Sequence, residues 1–538
     1  MTVDSEEKID CQTCDQAFIH GLPDEILEVI FLINTSKLAN ESHYNIFSTT
    51  LATAQVCQRW RAVALNYPLL WSRIIDYKRH SPLQIETLLA RSGSSLIDVD
   101  GDSLLEPVLL ENYRGKIVLQ SIFQRVSSLQ TLSLHILRSP WESICRSLLG
   151  RPAPNLEFLK LITSCPFPDC FYPDPLFADE APRLRRLHLR RCLIDFSSSV
   201  LFNLTELSVR DVLAPRTIMS VSAHSSHPPS VAGWLRVLKN IPTLRILTLS
   251  SAIFRFSEQE PLPVVDLPHL ALLTISTRFH RGVTFIDHLN IPPSCGVRFR
   301  FYRDSTQSTS RLLSFLSKQF MHLSQDHSDR YLQAKILSDD RIHFGNSKRV
   351  GHSLDVAESD ELEAHSRYSK DPILSLVLTF DSSDDSFAFF NQLLDWYSFT
   401  FSTTTTLDLW LDQEFSGPAT SIGSFPSFHS FANVKTLNLL EQSALYLLPL
   451  FQNSCQPVNP LFPALQSLYF TGTDMDDELC SVFVAFLLWR AEAQIPIPEI
   501  KIISGYISNQ TAEDLSRHLR VLLDSKPFNH ANTYDEAE

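Results

Sequence analysis

Glycine is scarce in this chain, with 14 among 538 residues. So few glycines leave little material for a dinucleotide fold, whose phosphate turn depends on them. No Gly-x-x-x-x-Gly-Lys phosphate loop and no His-Glu-x-x-His zinc helix occurs. No apolar run approaches the roughly 20 residues needed to span a bilayer, so no membrane association is expected; the longest candidate, Val482 to Trp489, reads as a buried helix. The start, with Asp4, Glu6, Glu7 and Asp10, lacks the basic and apolar regions of a secretory leader. Basic residues are outnumbered 46 to 60, for a net charge of −14, which argues against a general nucleic-acid binder. Ten cysteines are too scattered to form a disulfide framework. Free thiols suit a reducing cytoplasm or nucleus, where the sequons at Asn34, Asn40, Asn203 and Asn509 stay unmodified. Cys11 and Cys14, with His20 nearby, have metal-ligand spacing, but the second half of a four-ligand site is absent locally, and Cys165 and Cys170 are a weaker pair. No metal and no cofactor is therefore expected.

What is present is the composition of a folded protein, 44% hydrophobic and 20% charged, long enough for two to four domains or one long solenoid. Its most informative stretch runs from Leu22 to Trp71 and carries more apolar surface than so short a unit can bury alone. Pro23 suits a first helical position, and Asp24 and Glu25 place negative charge at that helix's positive end. Ile26, Leu27, Ile30, Phe31 and Ile33 follow at helical spacing. Asn34 to Thr50 reads as a polar connector. A second helix is predicted from about Thr50 to Leu65, with Val56, Cys57, Trp60, Val63 and Ala64 on one face, and Leu69, Leu70 and Trp71 form a last apolar knob.

The series Leu-Pro-x-Glu-Ile-Leu-x-x-Ile-Phe, Val-Cys-x-x-Trp-Arg and Pro-Leu-Leu-Trp resembles the F-box motif, with an insertion around Lys37 to Asn45. That resemblance implies docking on the Skp-type adaptor of a cullin–RING ubiquitin ligase. The matching adaptor-binding positions are Leu22, Pro23, Ile26, Leu27, Val56, Cys57, Trp60, Leu70 and Trp71. Arg59 and Arg61 are expected on the rim or in solvent.

Downstream, the pattern apolar-x-x-apolar-x-apolar recurs at Leu129–Leu134, Leu156–Leu161, Leu184–Leu189, Leu204–Val209, Leu244–Leu249, Leu270–Ile275, Val434–Leu439 and Leu465–Phe470. Proline stands two residues before the first apolar position in five of these eight, at Pro154, Pro182, Pro242, Pro268 and Pro463. A rigid, donor-less residue recurring at strand entry points to a structural requirement. The first start-to-start intervals, 27 and 28 residues, fall within leucine-rich repeat periods, whereas others of 20 and 40 make the array irregular. Only the unit from Leu184 to Ile194 fits the full pattern, with Cys192 at its ladder position. Val231 to Asn240 is expected to supply a helix of the outer layer, with Trp234, Leu235 and Leu238 on one face.

The fold class expected is α/β, a helical F-box followed by an irregular leucine-rich-repeat-like solenoid. Its parts are a disordered start (1–19), the F-box (20–80), repeats (81–301), a polar irregular segment (302–371), a further repeat-like region (372–525) and a disordered tail (526–538). The whole plan resembles a broad group of fungal F-box proteins.

In such strands the residues between the leucines line the concave surface. This places Lys160, Arg186, His188, Arg190 and Arg210 in a local basic stripe that could capture an acidic or phosphorylated peptide. An enzyme reading rests on Gly101-Asp102-Ser103-Leu104, which matches the opening block of Gly-Asp-Ser-Leu hydrolases, with Asp340 and His343 as possible partners for Ser103. No later Gly or Gly-x-Asn-Asp block follows for an oxyanion hole, so no enzymatic activity and no catalytic residue is expected. The function expected is that of a substrate receptor bound to the adaptor and, through it, a cullin. The alternative is a non-catalytic scaffold that does not direct ubiquitination.

Overall fold

The computed structural model describes residues 21–34, 43–77, 80–100, 113–136, 150–163, 176–212, 230–253, 261–302, 309–320, 330–337, 341–347, 374–379, 383–400, 404–411, 428, 431–440, 443–445, 447–448, 461–472, 477–503 and 521–523. The chain is mixed α/β, rich in parallel strands, and divides into two compact units, 1–204 and 205–538. The Cys11, Cys14 and His20 group, the Cys165 and Cys170 pair, Gly101 to Leu104 and Asp340 all lie outside the described residues.

The first unit begins with helices α1 (Asp24–Asn34), α2 (His43–Thr53), α3 (Gln58–Leu65) and the short α4 (Pro68–Ser72). Two expectations change here. Most of the polar connector's second half is helical, as α2, and the single helix expected from Thr50 to Leu65 is broken. The break lies at Cys57, whose backbone is extended (φ −155°, ψ 172°) and whose Sγ accepts the Trp60 N–H at 3.4 Å, capping α3. Strand β1 (Ile75–Asp76) then leads to α5 (Pro82–Arg91). That helix starts with Pro82 at its first turn and a reciprocal cap: Ser81 Oγ accepts from Gln84 N–H, and Gln84 Oε1 accepts from Ser81 N–H. Strand β2 (Ile97–Asp100), helix α6 (Tyr113–Phe123) and strands β3 (Leu129–Ile136), β4 (Phe158–Thr163) and β5 (Arg186–Arg190) complete the unit. β1 through β5 pair in parallel in chain order.

The second unit contains β6 (Glu206–Arg210), α7 (Val231–Lys239), β7 (Ile246–Ser250), β8 (Val265–Asp266), β9 (Leu272–Arg278), α8 (Phe279–Ile286), β10 (Leu289–Asn290) and β11 (Gly296–Tyr302). It continues through α9 (Thr309–Phe320), β12 (Arg330–Leu337), β13 (Arg341–Ser347), β14 (Leu374–Thr379), α10 (Ser383–Thr400) and β15 (Thr404–Leu411). Its last elements are β16 (Thr436–Leu440), β17 (Ser467–Thr471), α11 (Asp477–Glu492), β18 (Glu499–Ile503) and β19 (Val521–Leu523). The strand order in its sheet is β6-β7-β9-β11-β14-β13-β12-β15-β16-β17-β18-β19, parallel except where β13 runs antiparallel to both neighbours. β8 and β10 form a separate parallel pair. Residues 302–371, expected to be irregular, thus hold α9 and the antiparallel pair β12–β13. Their strands lack the leucine spacing and could not be found by it. The helix read at Val231 to Asn240 is α7, with Trp234, Leu235 and Leu238 buried and the indole donating to the Ala252 carbonyl at 2.9 Å.

All eight apolar repeats lead into parallel strands, and the recurrent proline has a local explanation. In the turn Ala153-Pro154-Asn155-Leu156 the Leu156 N–H donates to the Ala153 carbonyl; the same bond closes Ala181 to Leu184, Ile241 to Leu244, Leu267 to Leu270 and Phe462 to Leu465. Proline therefore occupies the second position of a β-turn, where its fixed φ is preorganised and its missing N–H costs nothing. Both ends of each turn are buried apolar residues. Leu201 to Leu204 and Phe431 to Val434 close the same turn without proline. The next residue then donates its N–H to the corresponding carbonyl of the previous strand's entry: Glu157 to Gln130, Arg185 to Glu157, Arg245 to Thr205, Ala271 to Arg245, Lys435 to Thr405 and Gln466 to Lys435.

Scarce glycine shows where the strands end. Arg191, Asp211 and Ser251, each immediately after its strand, have φ of 60°, 53° and 48°. Side-chain-bearing residues thus occupy left-handed positions that glycine fills at lower cost.

Candidate functional site

The helical module of the first unit is built around α1. Leu27 and Phe31, four residues apart, are buried, and Phe31 meets the Trp60 ring at 5.1 Å between centroids. Leu70 and Trp71 fill the same interior; the Trp71 indole donates to the Ala64 carbonyl at 2.7 Å, and Arg91 lies over its ring. A buried indole with its N–H satisfied is a core residue. Arg59, expected on the rim or in solvent, has a side chain 36% exposed and joins α3 to α1, its guanidinium bonded to Asp24 Oδ1 and to the Leu22 carbonyl. Arg61 reaches the Ala54 carbonyl at 3.2 Å and spans the break between α2 and α3.

The opposite side of α1 is also apolar, and it is exposed. Ile26, Val29 and Ile33 are 46%, 51% and 61% exposed, and Val56, ahead of α3, is 60% exposed. At 100° per residue, positions 26, 29 and 33 fall within one narrow stripe. The nine residues expected to dock are thereby divided. Pro23, Ile26 and Val56 are exposed, Leu22, Cys57 and Trp60 are half-buried, and Leu27, Leu70 and Trp71 are interior. The interior three hold the module together and offer a partner no surface. Val29 was not singled out from the sequence, because apolar spacing alone does not tell the packed side of α1 from the exposed one.

The basic stripe is similarly resolved by the structure. Across β4 and β5, Phe158 is in register with Arg186, Lys160 with His188 and Ile162 with Arg190. The Arg186 guanidinium lies 4.7 Å over the Phe158 ring, and His188 meets the same ring edge-on at 5.0 Å. His188 is buried, whereas Lys160, Arg186 and Arg190 are half-buried. Arg210 lies in the second unit, on β6 in register with Ser250. Cys192 meets its ladder expectation in part: its thiol donates to the Leu161 carbonyl at 3.5 Å.

A second basic arrangement was not read from the sequence. On β11 the alternation Val-Arg-Phe-Arg-Phe buries Val297, Phe299 and Phe301 and sends Arg298 and Arg300 to the other face of the sheet. Arg298 is in register with Thr274 on β9 and Ser375 on β14, and Arg300 with Ser276 and Val377. Burial lowers the Arg298 pKa from its ordinary value. Strict alternation in residues 297–301 was the signal available.

Of the hydrolase residues, His343 lies on β13, where its backbone is in register with Val377 of β14 and Lys335 of β12. Among the described residues no helix is long and apolar enough to cross a membrane, and no group of three or more His, Cys, Asp or Glu side chains converges as a metal site. No protein-family model matches the sequence, and no curated protein is similar to it at a significant level.

Proposed function

We propose that this chain is a non-enzymatic substrate receptor, whose F-box-like module docks on a Skp-type adaptor and whose leucine-rich-like repeats present target proteins to the ligase. The observation that carries the docking half is the exposed apolar stripe of Ile26, Val29 and Ile33 on a helix whose other side is already packed. An uncovered apolar face rimmed by charge, as here by Asp24 and Glu25, is the usual form of a protein-docking surface. The order of the motifs in residues 22–71 supplies the identity of the partner. For the receptor half, support comes from the turn-and-strand unit that recurs in both units, the construction expected of a leucine-rich-like solenoid. Catalysis then belongs to other subunits, and this chain contributes proximity.

The test is a pull-down of a purified Skp-type adaptor by the full chain beside an Ile26→Asp/Ile33→Asp variant. Retention by the parent and loss by the variant, with unchanged thermal unfolding, is the expected result. Failure of the parent chain to retain the adaptor overturns the reading.

A further inference from the structure

A second departure from this chain's acidic character lies in the middle of the second unit's sheet. Six adjacent strands, β7, β9, β11, β14, β13 and β12, contain no aspartate or glutamate, in a chain where acids outnumber Lys and Arg 60 to 46. On the side of these strands facing away from the leucine core stand Arg278, Arg298, Arg300 and Arg341, together with His343. Hydroxyls surround the two central arginines: Thr274 and Ser276 on β9, Thr248 and Ser250 one strand further, and Ser375 on β14. The nearest strand carboxylates in register on this face, Glu206 on β6 and Asp408 on β15, stand three and four strands from β11. At about 4.8 Å per strand these distances are roughly 14 and 19 Å, beyond a Debye length at physiological salt. Asp408 is moreover already engaged, accepting from the Tyr331 hydroxyl at 2.5 Å.

Arg298 is the focus of the patch. It is half-buried, and among the described residues no hydrogen bond or ion pair engages its guanidinium. A recessed guanidinium flanked by hydroxyls, with no carboxylate bound to it among the described residues, is arranged for an oxyanion from outside, which it can meet with two parallel N–H bonds.

We propose that the Arg298–Arg300 face of the second unit is an anion-recognition site that takes a carboxylate or phosphate carried on an extended peptide, with Arg298 as the anchor and Thr274 and Ser375 beside it. A peptide fits better than a nucleic acid because strand carboxylates, Glu206 and Asp408, bound the face on both sides and the chain's net charge is −14, which leaves no path for a long phosphate track. Exposed Tyr302 and half-buried Leu272 on the same face offer apolar contact to the residues flanking the anion. This site is separate from Lys160, Arg186 and Arg190 in the first unit and does not depend on adaptor docking.

The experiment measures binding of the full chain, by fluorescence anisotropy, to degenerate neutral peptides with a fixed central phosphoserine, glutamate or serine. The phosphoserine or glutamate pool is expected to bind about tenfold or more tighter than the serine pool, as one charge-assisted pair implies. Preference for phosphoserine assigns the anion as phosphate, and equal binding assigns it as carboxylate. Arg298→Ala should remove the difference, whereas Arg186→Ala/Arg190→Ala should leave it intact. Arg298→Gln, of similar volume, gives the same reading if the alanine variant folds poorly. The proposal is overturned if the pools bind alike, if the loss follows Arg186 and Arg190, or if single-stranded DNA binds as well as the peptides. The adaptor pull-down uses different variants in a different unit, so either result stands without the other.

Discussion

Arg59, in the first turn of α3, binds Asp24, in the first turn of α1, with Nη2 2.6 Å from Oδ1. The side chains are 36% and 58% exposed, so solvent screens the pair and its contribution is at most about 1 kcal/mol. Arg59→Ala should lower the urea midpoint slightly at low salt and have still less effect at high salt. Its larger effect is expected on adaptor retention, because the same guanidinium also bonds the Leu22 carbonyl where the chain enters α1.

The two sides of α1 should separate stability from docking. Phe31→Ala removes a buried ring packed on Trp60 and should cost about 3–5 kcal/mol. Ile33→Asp, on the exposed side, should stay within about 0.5 kcal/mol of the parent in the same urea titration while adaptor binding is lost. A large loss of stability with Ile33→Asp would mean that the stripe is covered.

Ser251 sits at φ 48°, where a Cβ is disfavoured. Ser251→Gly should be neutral or raise stability by up to about 1 kcal/mol, the left-handed penalty minus the entropy glycine loses on folding. Ser251→Val should destabilise by at least about 1 kcal/mol, because β-branching makes that conformation worse. Equal stability of the three proteins, read by thermal unfolding, would remove the backbone argument.

Cys295 is buried, and desolvation, partly offset by a backbone hydrogen bond involving Leu273, pushes its thiol pKa from 9.0 to about 12. The folded state therefore holds this proton where the unfolded state releases it. The contribution is complete below pH 9 and falls as pH rises through about 12, by at most about 1.4 kcal/mol per unit. Iodoacetamide at pH 9 should leave Cys295 unmodified in the folded protein and label it in urea, as peptide mapping would show. Labelling without urea would contradict its burial.

The repeats were readable because apolar-x-x-apolar-x-apolar describes one physical object, a turn whose last residue is buried followed by a strand with one buried face. Leu156 with Leu159 and Leu161, or Leu244 with Leu247 and Leu249, show it directly. Helix α2 escaped because His43 to Thr53 has a weak apolar period, and its threonines return their hydroxyls to the helix's own carbonyls, as Thr50 does to Ile46. The antiparallel pair β12–β13 escaped because its strands do not carry leucine at that spacing. In the helical module the sequence marks Trp71 and Ile26 alike as apolar, and only packing tells that the first is core and the second surface. Arg298 and Arg300 were missed because β11 enters its strand through Pro292 and Cys295 without a leucine turn.

The ladder of entry bonds has a consequence for how such a chain can change over time. At Leu156, Leu184, Leu244, Leu270 and Leu465 a closed turn and an entry bond to the preceding strand lead into the ladder, and neither depends on the length of chain between the strands. Insertions and deletions are then neutral for strand registry wherever they fall between a strand's end and the next turn. In the second unit, strand starts 40 residues apart (Glu206 to Ile246) and 26 apart (Ile246 to Leu272) coexist in one sheet for this reason. The connections are left free to diverge while the strands keep their places.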